Sequence, residues 1–389
     1  EDSVLIVNQT DAAAHGGEAL DAVQKANQQT SSGVQEPAQE APAEPPSDST
    51  SVPSDDPQEE PQPDETDPAE PAGEEPTEPQ PEADPEIDTP DESDASYAGS
   101  VVVVGDRAME IPTRLDDIIT SYAAAVGNLA KALGPDVRTI SLVTPNGGEF
   151  YSPESLHTGE HSQKDMIDFC YGQMDSGIVT VDAYAKLRAH TDEYIYFRTD
   201  HHWTGLGAYY AYREFCGAKG VTPHALSEYE VSQYDGFLGS FYNDGGKPDA
   251  MKNNPDVVTA YHPISTEARM QYGKSDSDLT AGKIIYDESE ASAGLKYGAF
   301  IMGDNPYTVI SNPDLSDGSS CVVVKESFGN AFVPFLVDHY QTVYVIDYRY
   351  YSGSVVDFAK TNKATDVIFV NNLSAIRGSY QMGKLAGVK

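Results

Sequence analysis

Cationic side chains are scarce in this chain of 389 residues, which has 24 Lys and Arg against 63 Asp and Glu and a net charge of −39. Recognition of phosphate needs clustered Lys and Arg, so this deficit argues against nucleic-acid binding and against contact with anionic lipid. Long hydrophobic runs are missing too. Apolar runs such as Val101–Val104 and Val343–Ile346 have the length of strands, whereas a membrane-spanning helix needs roughly 18 residues. We therefore expect a soluble chain without a membrane span.

Cysteine is also rare, and the three cysteines have neither the number nor the spacing of a disulfide scaffold or a zinc site. Cys170, Cys216 and Cys321 each stand beside an apolar residue, so we expect buried, unpaired thiols. A Cys170–Cys216 disulfide is the alternative. The sequence begins at Glu1 with no initiator Met and no apolar leader, from which we expect a processed mature chain or a trimmed one, not a full primary product.

The acidic charge is concentrated near the N-terminus. Residues 1–100 hold 27 acidic residues and one basic residue, Lys25, whereas the other 289 residues hold 36 and 23. Residues 36–94 contain 15 Pro and 22 Asp or Glu and no aromatic residue, so they have little to bury and should stay disordered. As extended polyproline they could reach on the order of 100–180 Å. We interpret residues 1–97 as a stalk that holds a folded head away from a surface; a solvated tail without such a task is the alternative.

From Tyr97 onward the composition changes, because all 24 Tyr and the single Trp lie there. Apolar strands alternate with amphipathic helices along residues 98–389, which is typical of a parallel sheet covered on both faces. The first predicted helix has Thr113 as its N-cap and ends at Gly134-Pro135. Residues 220–300 break the alternation, and we expect a loop-rich insertion there. The sequence thus predicts an α/β domain with a doubly wound parallel sheet. The predicted strands are Ser100–Val104, Val137–Val143, Ile178–Val181, Tyr194–Phe197, Cys321–Val324, Thr342–Ile346 and Asp366–Val370.

Polar side chains follow three of these strands at the point where each strand ends. They are Asp200-His201-His202-Trp203, Ser327 and Asn371. Ligands bind at the carboxyl ends of the strands in a doubly wound sheet, so these residues are candidates for a site. A serine between a strand and a helix exposes its hydroxyl and places its own N–H at a helix N-terminus, as an acyl-transfer nucleophile requires. His202 could accept the proton of Ser327, and Asp200 could orient the imidazole.

The same residues have plainer interpretations. A serine between a strand and a helix is often only an N-cap, and paired histidines beside a Trp are often structural. Asp-x-His can supply two ligands of a metal site, but the other seven histidines show no metal-like spacing, and we predict no metal. Gly105-Asp106-Arg107 imitates a nucleophile motif but lacks the hydroxyl.

Three sequence blocks together resemble the DHHW family of bacterial extracytoplasmic proteins. They are Thr199-Asp200-His201-His202-Trp203-Thr204, Lys325-Glu326-Ser327-Phe328-Gly329-Asn330 and Ile346-Asp347-Tyr348-Arg349-Tyr350-Tyr351. This family is similar to the SGNH-like proteins that O-acetylate alginate and other exopolysaccharides. The resemblance covers roughly residues 98–389 and implies an SGNH-like fold with circularly permuted motif order. It also implies Ser327 as nucleophile, His202 as general base and Asp200 as its orienting partner. Glu326 departs from the Asp expected before the serine.

Further residues are candidates for binding the substrate or the oxyanion. The backbone N–H of Ser327 is the first choice, and the side-chain candidates are Arg349, Asn371, Asn330, His201 and Trp203. Arg349 could instead form an ion pair with Asp347, and Asn371 could be a turn residue. Aromatic residues of the insertion could form a sugar-stacking wall or could pack the insertion against the sheet. They are Tyr229, Tyr234, Phe237, Phe241 and Tyr242.

Together these expectations describe an exported serine-dependent O-acyltransferase or acetylesterase that acts on a polysaccharide and needs no cofactor. Its partners would be a polysaccharide acceptor and an acyl donor, which a membrane acyltransferase could supply. A non-catalytic carbohydrate-binding or adhesion module is the main alternative. A metal-dependent hydrolase is a second alternative, and it would need a third ligand beside Asp200 and His202.

Overall fold

The computed structural model describes residues 89–98 and 101–388. Most of the predicted stalk lies outside the described residues, so its disorder and its role as a spacer stay predictions. Ala95–Ala98 (β1) spans the predicted boundary at residue 97 and pairs antiparallel with Val101–Val104 (β2). Arg107–Glu110 (β3) completes a three-stranded sheet. The first strand predicted from the sequence therefore belongs to a small antiparallel sheet, separate from the main one.

Eight of the remaining strands form the main sheet, in the order β5-β4-β13-β11-β12-β10-β8-β9. The strands from β5 to β12 in this order run parallel, whereas β10, β8 and β9 are each antiparallel to their neighbours. The prediction of a wholly parallel sheet is therefore wrong for this edge. A short turn joins β8 to β9, and a connection of that length permits only antiparallel pairing. The strands are β4 (Arg138–Thr144), β5 (Val179–Val181), β6 (Val231–Phe237), β7 (Asp256–Tyr261), β8 (Arg269–Gly273), β9 (Leu279–Gly282), β10 (Tyr307–Ser311), β11 (Ser320–Lys325), β12 (Thr342–Asp347) and β13 (Asp366–Asn372).

Helices cover both faces of this sheet, as the sequence predicted. Every residue of β11 is buried, and its side chains alternate between the faces: Cys321 and Val323 join one apolar cluster, Val322 and Val324 the other. Helices α5 and α8 pack on the first face and α1, α3, α9 and α11 on the second. The helices are α1 (Asp116–Leu133), α2 (Gly148–Tyr151), α3 (Gln163–Gly172), α4 (Tyr184–Arg188), α5 (Gly205–Lys219), α6 (Ser240–Asp244), α7 (Asp249–Asn253), α8 (Gly329–Leu336), α9 (Val355–Thr361), α10 (Leu373–Ile376) and α11 (Ser379–Gly387).

Helix α1 illustrates how the sequence sets an element and where the prediction of its start is wrong. Its apolar residues at helical spacing are buried, and it ends at Gly134, whose φ of +86° is available to glycine. It starts at Asp116, with Leu115 as a cap that makes no side-chain hydrogen bond, and not after Thr113. Asp116 and Asp117 lie in the first turn instead, where their negative charge interacts favourably with the positive end of the helix dipole and stabilises the helix.

The predicted insertion contains short strands as well as loops. Strands β6 and β7 form a separate antiparallel pair with an irregular register between Asp235 and Phe237, while β8 and β9 extend the main sheet beyond β10. All three cysteines are buried and unpaired, in agreement with the first interpretation. None of the helices in the part of the chain that the structure describes is long and apolar enough to cross a membrane.

Candidate active site

Ser327 lies on the short turn between β11 and α8, at the carboxyl edge of the parallel strands. The turn is tight, because a Cβ on Gly329 would lie 2.6 Å from the Cβ of Lys325. The backbone amide of Asn330 donates to the Ser327 carbonyl at 3.1 Å. No acceptor for the Ser327 amide itself is found among residues 89–98 and 101–388. This N–H at the start of a helix is therefore available to a ligand.

The structure brings the three predicted residues together. The Nε2 of His202 lies 2.7 Å from the Oγ of Ser327, and its Nδ1 lies 2.5 Å from the Oδ1 of Asp200. All three residues are 5–6% exposed. When Nδ1–H donates to the Asp200 carboxylate, Nε2 is left to accept the proton of the serine hydroxyl.

The surroundings of Asp200 hold its carboxylate ionised. Burial alone would raise its pKa, but electrostatic interactions with the His202 and His201 imidazoles, and hydrogen bonds from His202 and the Ser240 amide, keep the pKa well below its usual range. The Ser240 amide donates to Oδ2 at 2.9 Å. A Cβ on Gly239 would lie 2.3 Å from the Asp200 side chain. The insertion therefore contributes directly to the site through this close approach.

The segment that carries Asp200 and His202 is a turn, not the end of a strand. Tyr194–Phe197 was predicted as a strand, but only Tyr196 forms a bridge, to Trp203. The Phe197 amide donates to the His202 carbonyl at 3.2 Å, and this bond closes the turn. The prediction that Asp200 and His202 follow a sheet strand is thus wrong, although their approach to Ser327 does not depend on it.

Asp256 at the start of β7 anchors this turn. Its buried carboxylate accepts the amides of Arg198 and Thr199 and the Thr199 hydroxyl, at 2.6–3.1 Å. It also accepts the Tyr194 hydroxyl. Backbone amides that are bound in this way hold the segment just before Asp200 in place. The sequence contains no signal for this role, because the contact joins residues almost 60 positions apart.

Two aromatic residues hold the segments that carry His202 and Ser327. The Trp203 indole donates to the Phe328 carbonyl at 3.0 Å, so this predicted substrate candidate instead ties the histidine segment to the serine turn. Tyr297, which was not predicted, stacks its ring on His202 with 3.9 Å between centroids and donates its hydroxyl to the Ser327 carbonyl at 3.0 Å. Both side chains are buried, which limits the freedom of His202 and Ser327.

Arg349 belongs to a buried ion network at the edge of the site. Its guanidinium pairs with Asp347 at 2.7 Å and with Asp304 at 2.8 Å, and the fully buried Lys325 bridges the same two carboxylates. Burial would raise the pKa of Asp304, but Arg349 and Lys325 hold it far below its usual range. The ion pair that was the alternative for Arg349 is present. Asn330 joins the network through its Nδ2, which donates to Asp304 at 2.9 Å.

The two asparagines at the end of β13 make different contacts. The Asn371 side chain accepts from the Tyr348 hydroxyl at 2.8 Å and donates to Tyr122 at 3.3 Å, which engages both of its polar atoms in the core. The Oδ1 of Asn372 caps α10 at Ala375. No partner for its Nδ2 is found within the described ranges.

His201 adds a third titratable group beside the first two. Its Nδ1 lies 2.7 Å from the Ser240 Oγ, and its ring lies 3.8 Å from that of His202. Ligand atoms of Asp200, His201 and His202 all lie within 4.8 Å of one another, so His201 is the third ligand that the metal alternative lacked. Hydrogen bonds to Ser240 and Ser327 already engage one nitrogen of each imidazole. The arrangement therefore suits proton transfer at least as well as coordination.

Comparisons with known proteins show the family to which this chain belongs. The model of the family described as DHHW protein matches residues 80–346. A DHHW family protein from Eubacterium siraeum has a solved structure that is 32% identical in sequence, with a TM-score of 0.67, over 75% of this chain and 96% of that chain. This chain belongs to the DHHW family.

More distant structures share the fold of this DHHW protein. Bacillus cereus PatB1 is 20% identical with a TM-score of 0.57, over 74% of this chain and 99% of that chain. PatB1 with a sulfonyl adduct is 19% identical with a TM-score of 0.58, over 72% of this chain and 96% of that chain. No curated protein matches the sequence.

Glu326, the departure from the expected motif, is buried beside Ser327 in this DHHW protein. Its Oε2 accepts the Phe328 amide at 3.2 Å and lies 3.3 Å from the Ser327 Oγ, while its Oε1 accepts the Asn372 amide at 3.0 Å. Burial raises its pKa, against the opposing influence of Arg349 and of these amides. The carboxylate thereby joins the serine turn to the end of β13.

The predicted sugar-stacking wall is largely packed into the protein. Phe197 packs edge-on against Phe237 and Tyr297, and Tyr297 stacks on His202. Aromatic rings therefore lie beside His202. Most rings of the predicted wall are buried, and the buried ones are Tyr229, Tyr234, Phe237 and Phe241. Their alternative role, packing of the insertion, accounts for them.

Proposed function

We propose that this DHHW protein is a serine-dependent O-acyltransferase, with acetyl as the transferred group and a polysaccharide as the acceptor. The observation that supports it is the hydrogen-bonded chain from Ser327 through His202 to Asp200. A buried imidazole between a hydroxyl and an ionised carboxylate is the arrangement that activates a serine nucleophile.

The reaction would proceed in two balanced steps. The Oγ of Ser327 attacks the carbonyl carbon of the acyl donor as His202 takes the hydroxyl proton, and His202 then gives that proton to the departing alcohol. In the second step a sugar hydroxyl attacks the acyl-enzyme, His202 takes its proton, and the Ser327 Oγ recovers a proton from His202 as the ester leaves. The Ser327 amide would donate to the oxyanion in both tetrahedral intermediates.

Burial of the site favours transfer over hydrolysis. Ser327 and His202 are only 5% and 6% exposed, and a site that excludes water lets a bound acceptor compete for the acyl-enzyme. The polysaccharide acceptor, the acyl donor from a membrane acyltransferase and the extracytoplasmic location are parts of the same proposal. They are supported by the family resemblance and by an acidic N-terminal segment suited to a spacer.

A metal-dependent hydrolase is the second candidate, because Asp200, His201 and His202 could together hold an ion. Incubation with p-nitrophenyl acetate, with and without EDTA, separates the two chemistries. We expect wild-type protein to release p-nitrophenol and to carry one acetyl group detectable by mass spectrometry, with no effect of EDTA. Ser327→Ala should lower the rate at least about 10³-fold. Ser320→Ala, at the other end of β11, is the matched control and should react as wild type.

Equal rates for wild type and Ser327→Ala would overturn the nucleophile assignment. Loss of activity on chelation, with recovery on addition of Zn²⁺, would favour the hydrolase. Absence of any turnover or labelling in the wild type would favour the non-catalytic carbohydrate-binding or adhesion module.

A further inference from the structure

Two exposed tyrosines lie where an acceptor would approach the site. Large apolar side chains that are more than a third exposed are few in the described part of the chain. Tyr350 and Tyr380 belong to this group, at 41% and 42% exposure. Tyr350 comes three residues after β12, and Tyr380 lies in the first turn of α11, eight residues after β13. Because β12 and β13 flank β11, both tyrosines lie at the same edge of the sheet as Ser327.

Each of the two side chains lies beside a cation. The guanidinium of Arg349 is 5.2 Å from the centre of the Tyr350 ring, and the Nζ of Lys384 is 5.6 Å from that of Tyr380. Burial raises the pKa of Tyr350, Arg349 opposes this shift, and electrostatic interactions with Asp304, Asp347 and Tyr380 add to it. The Tyr350 amide also donates to the Asp347 carbonyl at 3.0 Å. These contacts order the two rings while leaving part of each accessible.

A chain of ion pairs and hydrogen bonds connects the surroundings of Tyr350 to the Ser327 turn. The Asp304 side chain is 31% exposed and bonds Arg349 at 2.8 Å on one side and Asn330 at 2.9 Å on the other. The Asn330 amide in turn donates to the Ser327 carbonyl. These bonds link the ion network beside Tyr350 to the turn that carries Ser327.

We propose that Tyr350 and Tyr380 form the acceptor subsite, on which a pyranose ring of the polysaccharide stacks while a neighbouring hydroxyl reaches the acyl group on Ser327. The inference rests on the proposed acyl transfer. An aromatic face suits a sugar, because the C–H groups of a pyranose form an apolar face that packs on a ring. The buried rings of the predicted wall, Tyr229, Tyr234, Phe237 and Phe241, have no accessible face on which a sugar could stack.

Binding to the inactive full-length Ser327→Ala protein tests the subsite without turnover. The probes are cellopentaose, chitopentaose and pentagalacturonic acid, measured by isothermal titration calorimetry. We expect at least one probe to bind, and we expect addition of Tyr350→Ala and Tyr380→Ala to raise its Kd by about 10-fold or more. Tyr350→Phe with Tyr380→Phe should retain binding, because the ring faces remain. Tyr97→Ala, which removes an exposed tyrosine of β1, should bind as the parent.

The subsite is overturned if none of the three probes binds, or if the double alanine variant binds as tightly as the parent while circular dichroism shows both folded. The proposed function is judged separately, by release of p-nitrophenol from the wild type. A wild type that cleaves the ester through Ser327, together with unaltered sugar binding in the double variant, would remove the subsite and leave the acyl transfer.

Discussion

The ring of Tyr297 lies almost parallel to the imidazole of His202, with 3.9 Å between the centroids and 10° between the planes. The same tyrosine donates its hydroxyl to the carbonyl of Ser327. One buried side chain thus positions both the proposed base and the turn that carries the proposed nucleophile.

Tyr297→Ala should lower kcat/KM for p-nitrophenyl acetate by about 10- to 100-fold, because His202 loses the surface that fixes its ring and misplacement of a catalytic group is costly. Tyr297→Phe keeps the stacked ring and removes only the hydrogen bond, so we expect a loss of less than about tenfold. Steady-state kinetics at a temperature where both variants are folded decides this. If phenylalanine costs as much as alanine, the bond to Ser327 and not the stack is the important contact.

Asn372 is a better candidate than Asn371 for a second oxyanion donor, because both polar atoms of the Asn371 side chain are engaged in the core. Asn372→Asp keeps the cap of α10 but replaces the Nδ2 donor, and we expect kcat to fall by about 10²–10³-fold with little change in KM. Asn371→Asp makes the same change one residue earlier, where the side chain is held between Tyr348 and Tyr122. Asn371→Asp should lower the melting temperature and leave kcat nearly unchanged. A larger kcat loss in a stably folded Asn371→Asp protein would reverse the assignment.

Asp256 should act as a positioning residue for the turn before Asp200. Asp256→Asn removes one of the oxygens that accept the amides of Arg198 and Thr199. We expect a loss of about 2–4 kcal/mol in the free energy of unfolding and slower acylation of the molecules that remain folded. Asp366 offers a control, since it is an equally buried carboxylate that lies at the start of β13, at the edge of the main sheet opposite Ser327. Asp366→Asn should destabilise the protein without slowing acylation per folded molecule, and equal slowing in both variants would argue for a purely structural effect.

Glu149 should make stability depend on pH. Burial raises its pKa from 4.5 to about 7, despite hydrogen bonds from Gln163, Tyr184 and Lys164 that favour the charged form. The folded state therefore keeps its proton to a higher pH than the unfolded chain does. This stabilisation is complete below about pH 4.5 and is lost as the pH rises toward 7, by on the order of 1–3 kcal/mol.

Urea unfolding at pH 5 and pH 8 measures this effect, with Glu149→Gln as the variant that cannot titrate. Other groups change charge over the same range, so the quantity to compare is the difference between wild type and variant. That difference should shift by the amount above between the two pH values. Parallel stability profiles for the two proteins would show that Glu149 titrates near its ordinary value.

Much of the candidate site could be predicted because it depends on local pattern. The apolar run of β11 followed by Ser327 and Gly329 predicts a strand, a tight turn and a helix, since burial and the short connection leave few other conformations. Asp200 and His202 are separated by one residue and can meet within a single turn. Their hydrogen bond to each other needs no distant partner.

Other features could not be predicted because they join residues far apart in the chain. The antiparallel edge of the main sheet depends on which strands of the insertion pair with β10, and apolar alternation is the same for either direction. Arg349 could have faced a substrate or its own neighbour Asp347, and only the convergence of Asp304 and Lys325 decided for the ion network.

Local sequence patterns limit the chemistry that this DHHW protein can offer, because they specify which types of residue lie in the Ser327 turn and in the Asp200–His202 segment. How those residues are held depends on the tertiary structure. Tyr297 and Asp256 approach the site from the insertion, and their roles arise from packing and burial that no local pattern contains. It likewise decided which aromatic rings are accessible, because exposure depends on what covers a side chain and not on its place in the chain.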